Sequence, residues 1–227
     1  MRRVCRGHGV GIALAFAVAT FASAQQQSAP TVRKAAPVQL IDITASTGIH
    51  FTHLSSPEAK YIVESMSGGV ALLDYDGDGW LDIYFTNAPS VSMALAGSKA
   101  HSALYRNNHD GTFTDVSEEA GVATPCWAMG AAVGDYNQDG LPDLAISCFQ
   151  GVVLYRNNGD RTFTDVTRQS GLEKDMGWAT GVAFGDFDGD GKDDLFVAHY
   201  VDLDMHDLPQ FGSKKTCQYK EVPVQCD

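Results

Sequence analysis

Positive charge is scarce in this sequence: 16 lysines and arginines face 28 aspartates and glutamates across 227 residues. A polyanion is repelled by such a chain, so nucleic acid and anionic membrane surfaces are excluded as partners. Long apolar runs are also lacking. The single candidate, Val10 to Phe21, is about a dozen residues, short of the roughly 20 that a bilayer-crossing helix needs, and no membrane span is expected in the mature chain. No Gly-x-Ser-x-Gly elbow, phosphate-cradling glycine loop or Ser-His-Asp order stands out, so no catalytic residue is assigned and the chain is read as a non-enzyme. Disorder is excluded in turn, because 44% of the residues are hydrophobic and aromatics are spread throughout.

What the short apolar run does fit is an export signal. Arg2, Arg3 and Arg6 precede it and Ala22-Ser23-Ala24 follows as a small-x-small cleavage site, so residues 1–24 are expected to leave after Ala24. Paired arginines raise a twin-arginine route, which Val4 and Cys5 after them disfavour. The destination is extracellular or periplasmic. Loss of the signal removes three arginines and no acid, leaving 13 basic residues against 28 acids, a net charge of −15. It also removes Cys5, and the four remaining cysteines are an even number in an oxidising compartment, where disulfides are permitted. Residues 25–37, rich in Gln, Ser, Ala and Pro, read as a flexible leader.

From Val38 onward the chain repeats itself. Asp74-Tyr-Asp-Gly-Asp-Gly-Trp-Leu-Asp82, Asp135-Tyr-Asn-Gln-Asp-Gly-Leu-Pro-Asp143 and Asp186-Phe-Asp-Gly-Asp-Gly-Lys-Asp-Asp194 each follow a small-residue apolar stretch and precede an apolar run. Between them Leu104-Tyr-Arg-Asn-Asn108 with Thr112-Phe-Thr-Asp-Val116 recurs as Leu154-Tyr-Arg-Asn-Asn158 with Thr162-Phe-Thr-Asp-Val166. Each copy therefore predicts four short strands, A to D; in the first copy these are Val70 to Asp74, Leu81 to Thr86, Ser102 to Arg106 and Thr112 to Val116. Asn108-His-Asp-Gly111 and Asn158-Gly-Asp-Arg161 supply the C to D turns with residues that tolerate positive φ. Four-stranded units at this spacing are propeller blades or solenoid rungs. Leu40 to Thr44 with Gly48 matches strand D and its exit but has no A, B or C strand before it, as a ring needs to complete its last blade. The prediction is an all-β propeller of about three blades over residues 38–206, an incomplete ring. Residues 207–227 then begin a truncated cysteine-containing insertion, so the chain is expected to be a fragment or a split gene product.

The acidic loops have the pattern of a hard-cation site. Calcium takes six to eight oxygens, which carboxylates at alternate positions and a backbone carbonyl provide around a sharp glycine turn. The expected ligands are Asp74, Asp76, Asp78 and Asp82 with the carbonyl of Trp80; Asp135, Asn137, Asp139 and Asp143 with that of Leu141; and Asp186, Asp188, Asp190 and Asp194 with that of Lys192. Up to three calcium ions follow. The second site is expected to be weakest, with one asparagine among its ligands and Pro142 inside the loop. An EF-hand is excluded, since Phe85, Ile146 and Val197 occupy the twelfth position where it needs a carboxylate. His50 and His53 resemble a soft-metal pair but lack a third ligand of suitable spacing.

Comparison between copies yields three more expectations. Cys126 and Cys148 replace Ser65 and Asn87 of the first copy and Gly177 and His199 of the third, so they occur together and flank one hairpin, which predicts a disulfide. Cys217 and Cys226 pair either within the last loop or with residues absent from this chain, and both alternatives stay open. Trp127 and Trp178, at equivalent positions ahead of strand A, are expected to pack between blades rather than form a sugar platform. Insertions at Ile49 to Ser65, Asn87 to His101 and Val201 to Asp227 all fall on the face opposite the acidic loops, which marks that face for recognition.

These loops and the Leu-Tyr-Arg-Asn-Asn and Thr-Phe-Thr-Asp-Val motifs resemble FG-GAP (VCBS-type) repeats of integrin-alpha-like propellers, most closely the cartilage acidic protein (ASPIC/UnbV) family. The resemblance implies a secreted propeller that binds calcium through the loop residues named above and serves adhesion or recognition of an extracellular protein or glycan. The Phe-Gly pair of the repeat survives only as Phe184-Gly185. The alternative readings are the propeller part of a larger exported enzyme and a non-functional gene fragment.

Overall fold

Glycine and alanine crowd the start of each repeat because the first strands of successive sheets approach one another too closely for larger side chains. In the computed structural model a Cβ on Gly69 would lie 2.7 Å from Gly130 Cα, and one on Gly134 would lie 2.4 Å from the Phe184 ring. The model describes residues 39–54, 61–174, 177–204 and 206, and the backbone of 217–219 and 222–224. The export signal, the leader and the pairing of Cys217 and Cys226 lie outside the described residues. Contacts divide the chain into Met1–Ile41 and Asp42–Asp227, and every element described below belongs to the second unit.

The first sheet has the order β1 (Val70–Leu73), β2 (Asp82–Phe85), β3 (Ala103–Asn107), β4 (Phe113–Asp115). The second repeats it with β5 (Ala128–Gly134), β6 (Asp143–Cys148), β7 (Gly151–Asn157) and β8 (Phe163–Asp165). A third pair, β9 (Ala179–Gly185) with β10 (Asp194–His199), starts the next copy, and β11 (Cys217–Tyr219) pairs with β12 (Val222–Val224). All pairings are antiparallel. Each strand of the first sheet lies within a residue of the apolar run that predicted it. Helix is confined to one turn of α1 (Val91–Leu95) and short 3-10 segments. Among the described residues no ring is closed.

Three apolar clusters among the described residues hold the sheets together, one of them Ala145, Leu154 and Val166 against Val182, Phe184 and Leu195 of the third pair. Leu73, Tyr84, Leu104, Leu144, Ile146 and Tyr155 are buried between the first two sheets. The hydroxyls of Tyr84 and Tyr155 do not go unpaired there: both meet Thr124 Oγ1, at 2.8 and 3.0 Å, and Tyr84 also donates to the Val122 carbonyl. The second core gathers Trp127, Phe149 and Trp178 with Val63 and Val91 from the two insertions. Trp127 is 7% exposed and Trp178 3%, so both tryptophans pack in the core as expected. Their rings run Trp127, Phe149, Trp178, Tyr200 with centroids 5.3 to 6.0 Å apart.

The unpartnered D strand at the start needs correcting. The described residues from Asp42 form no strand and lead into a 3-10 turn, Thr44–Ser46. With no C strand beside it, the segment keeps only the local part of the motif. Asp42 Oδ1 accepts from Thr44 N at 2.9 Å, as Asp115 Oδ1 does from Ser117 N and Asp165 Oδ1 from Thr167 N. The exit is conserved between copies too: Thr47 O accepts from Phe113 N at 2.7 Å where Ala120 O accepts from Phe163 N at 2.8 Å.

Cys126 and Cys148 form the expected disulfide, with Cα atoms 5.9 Å apart. Cys148 faces Ala128 in the ladder, and a bulge between Ala128 and Gly130 carries the two-residue offset. The same closure is made differently elsewhere. In the third copy the His199 ring occupies the space beside Gly177, where a Cβ would lie 2.4 Å from it. In the first, the Asn87 amide binds Leu54 N and Thr52 O at 3.0 and 3.2 Å. The disulfide spans 22 residues, so replacing both cysteines by alanine is expected to lower the unfolding free energy by about 3 kcal/mol in denaturant titrations. A loss under about 1 kcal/mol would mean that the hairpin is held by packing alone.

Candidate metal centre

Every acidic loop is clamped at both ends by the ladder: Leu73 pairs with Asp82, Gly134 with Asp143 and Gly185 with Asp194. The eight residues between must turn back within one strand spacing, which they do through two left-handed positions. These are Gly77 and Gly79 in the first loop, Gln138 and Gly140 in the second, and Gly189 and Gly191 in the third. The first aspartate of each loop organises the turn. Asp74, Asp135 and Asp186 each accept from the amides four and five residues on, at 2.8 to 3.0 Å. Asp78, Asp139 and Asp190 accept in turn from Trp80, Leu141 and Lys192 N, all at 2.9 Å. The carbonyls of those three residues sit at the last bend before the ninth-position aspartate.

This folding brings some proposed ligands together and leaves others apart. Carboxylate oxygens of Asp74, Asp76 and Asp78 lie within 4.8 Å of one another, as do those of Asp186, Asp188 and Asp194. Asp82 stays outside the first group because its oxygens accept from Tyr75 N (3.1 Å) and Asn107 N (2.8 Å). Asp190 stays outside the third and faces Lys192 Nζ of its own loop at 3.8 Å. The second loop forms no such group among the described residues. There Asn137 Nδ2 donates to Asp139 Oδ2 at 2.8 Å, so the asparagine turns onto a neighbouring carboxylate. His53 Nε2 bonds Ser67 Oγ at 3.0 Å, and no group of three ligands among the described residues contains a histidine.

Asp76 carries the strongest indication of a cation. Its side chain is 1% exposed, yet neither oxygen has a hydrogen-bond partner. A carboxylate stripped of water and of donors is costly unless a positive charge faces it. Sequence reasoning missed two side chains near it. His109 Nε2 lies 2.6 Å from Asp78 Oδ2 with its ring stacked on Trp80, and Arg161 Nε lies 3.4 Å from Asp76 Oδ2. The available signal was their place in the C to D turns, where glycine was the alternative.

Compared with known protein families, the chain matches the model of FG-GAP-like repeats over residues 74–146 and again over 135–197. Each match starts on the first aspartate of one loop and ends in the strand after the next. No curated protein matches the chain significantly.

Burial holds the carboxyls of Asp82 and Asp143 up at about 6, against an ordinary 3.8. A raised carboxyl weakens the fold once it ionises, so this contribution is harmless below about pH 4 and costs stability as pH rises through about 6. In metal-free buffer Asp143→Asn is therefore expected to shrink the loss of unfolding free energy between roughly pH 4.5 and 7; an unchanged loss would assign it to other groups. Asp82→Ala removes the acceptor of two backbone amides and is expected to cost about 2 to 4 kcal/mol whether or not calcium is present. A cost that appears only in calcium would make Asp82 a ligand rather than a structural clamp.

Proposed function

Because the chain belongs to the FG-GAP-like repeat proteins, we propose that it is an exported, calcium-binding β-propeller module that recognises an extracellular protein or glycan and acts by binding rather than catalysis. Within that family we place it nearest the cartilage acidic proteins, on the loop and Leu-Tyr-Arg-Asn-Asn motifs. The observation that carries the cation reading is the cluster of three aspartates around the buried carboxylate of Asp76, whose charge the single Arg161 guanidinium offsets only in part, repeated as a cluster in the third loop. An all-oxygen set on a glycine turn suits calcium above softer ions. The cation would lower the mutual repulsion of the carboxylates and stiffen the hairpins that carry them.

Recognition is assigned to the opposite face. Strands alternate in direction, so the A to B and C to D turns share the acidic side while the insertions share the other. Described parts of two insertions there bond to one another. Ser90 caps α1 by accepting from Met93 N, and Glu64 of the preceding insertion accepts from Val91 N. Beside α1 lies a cavity of about 500 Å³, lined among others by Leu95, Lys99, Trp127, Phe149 and Gln150. Among the described residues its walls carry no carboxylate, which suits a neutral or acidic partner.

Calcium at ~1 mM against a Kd of ~0.1 mM would add about 1.4 kcal/mol per site. Thermal melts are expected to rise with calcium, fall with chelator, and lose part of the response in Asp188→Ala; a melt indifferent to both additions sinks the calcium reading. For recognition, Leu95→Asp, at a site 54% exposed, is expected to abolish capture on arrays of glycans and extracellular proteins without moving the melt. Capture lost instead through changes on the acidic face would relocate the surface.

A further inference from the structure

Among the described residues three that are not glycine hold a left-handed backbone: His109 (φ 65), Gln138 (φ 58) and Arg161 (φ 72). L side chains are strained there, and glycine adopts the conformation freely. All three reach an acidic loop. His109 meets Asp78, Gln138 Nε2 donates to Gly191 O at 2.7 Å, and Arg161 meets Asp76. Arg161 is the most informative, because the first copy has Gly111 at its position with open space around the missing Cβ. The turn itself is made equally well by glycine, so the strain is borne for the side chain. That side chain leaves its own sheet and points its guanidinium at the loop of the sheet before.

We infer that Arg161 sets the cation affinity of the first loop from the neighbouring sheet, as a resident positive charge that an arriving divalent ion must outcompete; this rests on the calcium reading above. Asp74, Asp76 and Asp78 contribute three negative charges and Arg161 returns one, leaving a site whose net charge a divalent ion balances. An ion bound to Asp76 would sit within about 5 Å of the guanidinium, where two like charges repel appreciably even with water on one side. The guanidinium keeps its charge at any accessible pH, so the effect is constant rather than pH-gated. The third loop differs. Its clustered Asp186, Asp188 and Asp194 face no cation from another sheet among the described salt bridges, and Lys192 approaches only Asp190. Of these two loops the third is therefore the first to take calcium, and the first loop fills after it.

The test is a calcium titration of the full chain carrying Asp188→Ala, which silences the third loop. Trp80 is the reporter: it is 51% exposed within the first loop and stacks on His109, whereas Trp127 and Trp178 are buried. Arg161→Gly preserves the left-handed turn, as Gly111 does in the other copy, and is expected to tighten calcium binding at the first loop by about tenfold. Arg161→Lys, which keeps the charge, is expected to stay near the parent affinity. Equal affinity in the parent and Arg161→Gly, or weaker binding in the latter, overturns this inference and leaves the calcium reading standing. Absence of calcium binding to the first loop in every variant overturns both for that loop.

Discussion

A carboxylate that has left water needs donors to replace it, and the ninth-position aspartate of the first loop meets this demand by tying three pieces of chain together. Asp82 takes one amide from the start of its own loop and one from the end of β3, so the loop cannot open without freeing β3 as well. Asp194 holds Phe187 N in the same way, and Asp143 holds Asn157 N. Everything on the acidic side is hung from these clamps: the two left-handed turns, the crowded carboxylates, and the C to D turns that lean over them. A residue chosen from the sequence as a metal ligand is thus also a structural clamp.

The strands and the loops were legible in the sequence because each obeys a local rule. Alternating apolar residues bounded by Asp and Gly clusters placed β1 to β10, and the aspartate spacing placed the clusters at Asp74, Asp76, Asp78 and at Asp186, Asp188. The disulfide was legible for a different reason, since two cysteines appeared together in one copy at positions that the other copies fill with Asn87 and His199. What escaped was set by contact between sheets rather than along the chain. Nothing in the order of residues says that Arg161 would reach Asp76, 85 positions earlier, or that Asp82 would turn away from its loop mates. The short D-like segment near Asp42 failed for the complementary reason: its motif is local, but a strand exists only when another lies beside it.

The insertions show the same division between local and distant causes. Their length and position suggested free loops, whereas Val63 and Val91 are fully buried or nearly so and cover the tryptophan core from outside. Two segments that read as variable additions become one lid over a shared apolar floor. The cavity beside α1 exists because that lid stops short of the disulfide-bearing hairpin.

Among the described residues, side-chain bridges between successive sheets include Asn157 Nδ2 to Tyr75 O, Gln138 to Gly191, Asp193 to Asp135 N and Arg161 to Asp76, each linking neighbours. Stability in such an array is a sum over adjacent pairs, so a unit with company on both sides is held more firmly than one at an end. The second sheet is that unit, and it is also the one with the disulfide. Its amides should therefore exchange with solvent later than those of a sheet with one described neighbour, most of all in the disulfide-linked hairpin β5–β6.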